Sequence, residues 1–116
     1  MAAHYRVDLI AANNEDLRQS FALSDQTPAP LDLTGASLRM TAELLSDWTT
    51  FEISTGNGRI TLANAAAGQF EISVPAAVMR TLSPGSYRHD LLLTMASGAV
   101  HRVWSGALTL ERGVTA

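Results

Sequence analysis

The sequence predicts an all-β fold, an antiparallel sandwich or barrel of about seven or eight short strands with one short helical turn. Three observations carry this. Apolar residues recur with period two along most of the chain, turn signals interrupt them at short intervals, and no strand–helix–strand alternation occurs. The 116 residues suit one core, and 47% apolar with 16% charged residues describes a globular chain rather than a disordered one. No internal repeat is present, so residues 1–112 read as a single sandwich domain and 113–116 as a tail with little to hold it.

The elements follow in order. Tyr5, Val7, Leu9 and Ala11 alternate with Arg6, Asp8 and Ile10, a first strand that ends in the turn "AANNED". Leu17, Gln19, Phe21 and Leu23 give a second strand, and Pro28 and Pro30 make the next segment a loop. In "DLTG", Asp32 and Thr34 bond nearby amides while Gly35 takes a positive φ, so a turn leads into a strand with Leu38, Met40, Ala42 and Leu44 inward. Phe51 and Ile53 mark a short strand. Asn57-Gly58 is a hairpin signal, with Ile60 and Leu62 beyond it. Phe70, Ile72 and Val74 face inward on the following strand. Pro75 then opens a turn or two of helix, with Val78 and Leu82 four apart, before Pro84-Gly85 stops it. Two long strands close the chain, Ser86 to Met95 and Ala99 to Leu110, joined at Ser97-Gly98.

Composition excludes several functions. Net charge is −3 and all eight basic residues are Arg, without a stripe or interleaved aromatics, which argues against nucleic acid. The absence of cysteine excludes disulfides, thiol catalysis and Cys-ligated metal. The N-terminus lacks the apolar run of a signal peptide and no stretch reaches the ~18 apolar residues of a membrane span, so folding in a cytoplasm is expected. The low charged fraction leaves a surface of small polar residues, suited to packing against neighbouring subunits.

Tyr87, His89, Asp90 and His101 have the residue types of an acid–base or metal site, and strand register tests whether they meet. A two-residue turn at Ser97-Gly98 pairs Ala96 with Ala99. One face then carries Tyr87–Leu108, His89–Gly106, Leu91–Trp104, Leu93–Arg102 and Met95–Val100. The other carries Arg88–Ala107, Asp90–Ser105, Leu92–Val103 and Thr94–His101. His89 and Asp90 leave opposite faces, and His101 lies roughly 13 Å from Asp90 at ~3.3 Å per residue. No nucleophile–base chain forms. His89 reads as a partly buried sheet histidine bonded to backbone near Gly106, and Tyr87 as a core aromatic with its hydroxyl at the rim. His101 and His4 read as solvent-side residues, and Arg88 with Asp90 as a surface ion pair. Asp25, Asp32 and Asp47 sit in turns and bond backbone rather than calcium, and "GNG" and "SPGS" are turns rather than phosphate loops. Trp48 and Phe51 lie in "LLSDWTTFEIS", where the indole either caps the core or anchors an interface.

Several of these motifs, in this order, resemble small β-sandwich structural proteins of tailed phages and prophages, related to the N-terminal domain of baseplate upper proteins. The motifs are "DLTG" followed by "ASLRM", "NGRITL", Gly68-Gln69-Phe70, Leu82-Ser83-Pro84-Gly85-Ser86-Tyr87 and the closing "YRHDLLLTMASGAVHRVWSGALTL". The resemblance spans about Tyr5 to Leu110, and it departs at "LLSDWTT", where a more polar linker is expected. It implies a short N-terminal hairpin, an immunoglobulin-like sandwich and no catalytic or cofactor residues. The expected function is then a non-enzymatic virion subunit, an adaptor in a tail, baseplate or head-associated region. Its partners would be other virion proteins and further copies of itself, with no cofactor, metal, nucleic acid, membrane or small-molecule substrate. Trp48, Phe51 and the strand around Tyr5 are the candidate contact residues. A stand-alone ligand- or carbohydrate-binding sandwich is the alternative, and an enzyme a distant third.

Overall fold

The computed structural model describes residues 5–24 and 30–115, so His4 and Asp25 lie outside the described residues. Nine strands are present among them: β1 (Tyr5–Arg6), β2 (Leu9–Ala12), β3 (Leu17–Ala22), β4 (Ser37–Leu44), β5 (Thr50–Ser54), β6 (Ile60–Asn64), β7 (Gln69–Val74), β8 (Gly85–Thr94) and β9 (Val100–Glu111). They form two sheets. One runs β1-β9-β8-β4-β5 with β2 also on β9, and the other runs β3-β7-β6. A 3-10 turn at Ala65–Ala67 precedes β7, and a single helical turn α1 (Ala76–Met79) follows it. No described helix is long and apolar enough to cross a membrane.

This partition of strands between two sheets is an immunoglobulin-like topology. A second mark of that architecture is a tyrosine at the corner where the chain passes from β7 of one sheet to β8 of the other. Tyr87, at the start of β8, donates from its hydroxyl to the Ser83 carbonyl at 2.6 Å, four residues upstream. Burial and the charge of Asp47 push the phenol's pKa upward.

The inward faces follow the alternation of the sequence. Leu38, Met40, Ala42 and Leu44 of β4, Phe70, Ile72 and Val74 of β7, and Tyr87, Leu91 and Leu93 of β8 are all buried. Trp104 fills the middle of the sandwich, its ring 4.7 Å from Phe21 and 5.9 Å from Phe70 between centroids. Turn chemistry holds where it is local. Asp32 accepts from the Thr34 amide and hydroxyl, Asp47 accepts from the Thr49 amide, and Gly35 has φ +74°.

Five expectations are corrected. The first two strands do not form a hairpin: β1 and β2 lie parallel to β9, whereas β3 pairs antiparallel with β7 in the other sheet. Alternation states which face of a strand is apolar and says nothing of its partner, and both sheets offered one.

Asn57-Gly58 joins β5 to β6, which belong to different sheets. Only Gly58 takes a positive φ, while the Asn57 side chain accepts from the Ser54 and Arg59 amides and so builds a crossover turn.

In the β8–β9 hairpin the expected pairing holds from Gly85↔Leu110 to Leu91↔Trp104, and then slips by one residue so that Leu92 pairs with Arg102 and Leu93 with His101. The bulge buries Val103 and Trp104 in succession. It places His101, half-buried, opposite Leu93 on the core-facing side, instead of on the solvent side opposite Thr94.

Arg88 pairs with Glu43 of β4 at 2.8 Å and not with Asp90. Finally, the C-terminal segment is held: Asn13 accepts from the Gly113 amide at 2.8 Å, and Asn14 donates to the Thr115 carbonyl at 2.9 Å.

The N-terminal strand reaches β9 through one close approach. Between β1 and β2 the chain crosses Gly106, and a Cβ at that position would be driven into the Val7 carbonyl. Asp8 fills the gap in the ladder by accepting from the Ala107 amide at 2.9 Å, and Val7 donates to the Ser105 carbonyl at 3.0 Å. The backbone has little room to retreat, because β9 is paired on its other side by β8. Gly106→Ala is therefore expected to destabilise the protein by about 3 kcal/mol, an overpacking cost. Urea unfolding measures it, and an unchanged midpoint would show that the N-terminal strand moves aside freely.

Candidate functional site

The loop between β4 and β5 is ordered by its backbone. Leu44 donates to Thr49 and Trp48 donates back to Leu44, both at 2.8 Å, while the Leu45 amide reaches Ser86 of β8 at 3.0 Å. To close this loop Trp48 adopts φ +65°, the one left-handed residue other than glycine among those described. That conformation costs a residue with a Cβ about 1 kcal/mol. The strain does not serve burial: the indole is 61% exposed, next to Leu45 at 46%. The expectation left the indole as either core cap or interface anchor, and its position is on the surface.

The ring is nonetheless held. The Arg88 guanidinium lies 5.5 Å from the indole centroid, and its Nε and Nη2 both bond one Glu43 carboxylate oxygen, at 2.9 and 2.8 Å. Glu43 thus orients Arg88 and Arg88 supports Trp48, a cation–π stack worth about 0.5–1 kcal/mol at an exposed site. Beside it, the outer face of the larger sheet forms a shallow depression of about 570 Å³ lined by Arg6, Glu43, Leu45, Arg88, Asp90 and Arg102. The site is a rigid apolar projection at the margin of a polar, charge-mixed face.

The other candidate contact residues lie elsewhere. Phe51 is on the inward side of β5 opposite Ala42, half-buried against the core, with Arg59 4.9 Å above its ring. Tyr5, 41% exposed, sits on β1 opposite Trp104. Three strands separate β1 from β5, a span of about 19 Å at ~4.8 Å per strand. Tyr5 and Trp48 therefore do not share one patch. Sequence reasoning missed Leu45 and the support from Arg88. Their signal was the register of β4 on β8, which sets Glu43 opposite Arg88 and Leu44 opposite Tyr87.

His89 is buried at 4% exposure, and its Nε2 lies 3.3 Å from the Ala107 carbonyl, so the expected backbone partner is present. Its Nδ1 has no partner within bonding geometry. Burial lowers its pKa from 6.5, opposed by the Ala107 and Val7 carbonyls and by the charges of Asp8 and Asp90. Asp8 is held low by the Ala107 amide and by Arg6 at 3.2 Å. Among the described residues no three His, Asp or Glu side chains are grouped as metal ligands would be.

No protein-family model and no curated protein matches the chain in sequence. Comparison with solved structures finds likenesses at low identity. It is similar to murine CRIg, with 13% identity over 91% of this chain and 92% of that one at a TM-score of 0.43. It is similar to a chain in the complex of ICOS with ICOS-L and an anti-ICOS-L VNAR domain, at 13% identity, 97% and 56% coverage and a TM-score of 0.42. Drosophila OTK extracellular domains 3–5 give 12%, 94% and 35% coverage, and 0.39. The immunoglobulin-like assignment rests on the strand order and the tyrosine corner.

The His89 environment sets a pH dependence. With the folded pKa below 6.5, the unfolded chain binds the proton first on acidification, so stability is lost as pH falls through 6.5 toward the folded value. The thermal midpoint is expected to fall between pH 7 and 5, with a smaller fall in His89→Phe. Parallel curves for the two proteins would remove His89 as the cause.

Proposed function

We propose that the protein is a non-enzymatic structural subunit of a phage or phage-like particle. It would act as an adaptor in the tail, baseplate or head-associated region and bind a neighbouring virion protein through the Trp48 loop. One observation carries the contact. A large aromatic ring is held in solvent on a left-handed backbone, stacked on a guanidinium that is itself anchored, an arrangement whose local cost is not offset by burial within the monomer.

The placement in a virion draws its support from the order and spacing of the sequence motifs, and from a surface poor in charge. The partner is a protein rather than a carbohydrate because the aromatic cluster of Phe21, Phe70 and Trp104 packs between the sheets instead of forming an exposed platform. Trp48 alone, with Leu45 beside it, suits an apolar pocket on a partner subunit.

Trp48→Gly separates binding from folding, since glycine accepts φ +65° without strain. The variant is expected to melt at or slightly above the wild-type temperature. In particles purified from a host producing it, mass spectrometry should find its abundance reduced at least about tenfold. Absence of the wild-type protein from such particles would end the virion reading. Undiminished incorporation of the variant would end the role of Trp48.

A further inference from the structure

We infer that a second copy of this chain pairs with the free edge of β3, joining two three-stranded sheets into one six-stranded sheet about a two-fold axis. The inference is independent of the Trp48 contact and of the virion reading.

It starts from the strand edges. On β5, the outward Ser54 amide donates to Asn57 Oδ1 at 3.0 Å. The outward Glu52 carbonyl is taken by Asn57 Nδ2 at 3.0 Å and by Arg59 Nη1 at 2.9 Å. On β2 the Ala12 amide donates to the Glu15 carboxylate at 3.3 Å. On β6 the pairing is broken by an irregularity between Thr61 and Asn64. Each occupies or interrupts the row of free N–H and C=O groups that would otherwise template pairing with another chain. β3 carries none of them among the described residues. It is regular over six residues, and the one charged side chain that could guard it, Arg18, is drawn back over its own sheet to Glu71 at 3.0 Å.

The direction of its free polar groups follows from the ladder. The Leu23 amide bonds Gly68, so Phe21, Gln19 and Leu17 exchange bonds with β7. The N–H and C=O groups of Arg18, Ser20 and Ala22 therefore face outward. The core is also incompletely closed along this edge. Gln19 and Phe21 are on the inward side, opposite the buried Ile72 and Phe70, yet Gln19 is exposed and Phe21 only half-buried.

The strand's own sequence selects the occupant. An antiparallel pair of β3 strands centred on Ser20 sets Arg18 opposite Ala22 and Ser20 opposite its own copy, so all the outward groups bond at once. No like charges meet, and the small side chains of Ser20 and Ala22 permit the approach. The same register lays Gln19 of one copy against Phe21 of the other and covers the open margin of the core. The interface is isologous, as a two-fold axis requires.

Sedimentation equilibrium of the full chain tests this. The wild type is expected to sediment at twice the chain mass at high micromolar concentration. Ser20→Pro removes an amide not used within the monomer and should weaken dimerisation at least about tenfold with an unchanged thermal midpoint. Ala22→Lys sets a cation opposite Arg18 of the other copy while keeping every amide, and should act likewise if the proline variant fails to fold. Trp48→Gly should remain dimeric. A monomeric wild type overturns the inference, as does a dimer that survives both β3 substitutions or that dissociates only on loss of Trp48.

Discussion

The passage of Val7 and Asp8 across Gly106 decides how the rest of the sandwich is arranged. Because the backbone can approach β9 there without meeting a Cβ, the N-terminal strand joins the larger sheet and runs parallel to the last strand. The larger sheet is thereby completed on that side. The smaller sheet is left with three strands, and β3 becomes its margin. The exposed Gln19, the half-open Phe21 and the unguarded polar edge of β3 all follow from where β1 and β2 went. His89 lies beneath the same crossing, opposite Gly106, and the partial satisfaction of its ring belongs to that local geometry.

Much of this molecule can be read in the residues themselves, and the division has a physical basis. Period-two alternation identified the buried faces of β4, β7 and β8, because a sheet with one apolar face fixes side-chain direction strongly. Asp32, Asp47 and Gly35 were legible because turn chemistry acts over two or three residues. Pairing partners were not legible for β1, β2 and β3, since alternation is blind to which strand lies alongside. The pair Val103-Trp104 hid a bulge: two consecutive large apolar residues do not say which of them faces the core, and here both do. Asn57 showed a further limit. Its amide side chain found three partners across the crossover, and that outweighed the local preference for a hairpin turn.

The candidate site was partly legible. Trp48 stood out as a large aromatic in a loop, but its left-handed backbone had no sequence signal, and neither had its stacking on Arg88. A non-glycine residue held against its preferred conformation on the surface, where burial does not offset the cost, is economically explained by a demand from outside the monomer. Glu43, Arg88 and Trp48 form a chain from sheet to solvent, so the rigidity of the sheet extends to the projecting ring. A partner meeting that ring would lose little conformational entropy in ordering it.

The bulge in β9 has a consequence of its own. It divides the longest hairpin into two segments with separate phase: below it the strands keep one pairing with the N-terminal crossing and the tyrosine corner, and above it they keep another with the loop. Above the bulge Leu93 and Val103 are still fully buried and β8 stays paired with β4 as far as Thr94, so the hairpin changes phase without leaving the core. Ala96, at the turn, lies close to Gly35 of the turn that precedes β4. One inserted residue thus lets β9 present apolar side chains to the interior on both sides of a change of register.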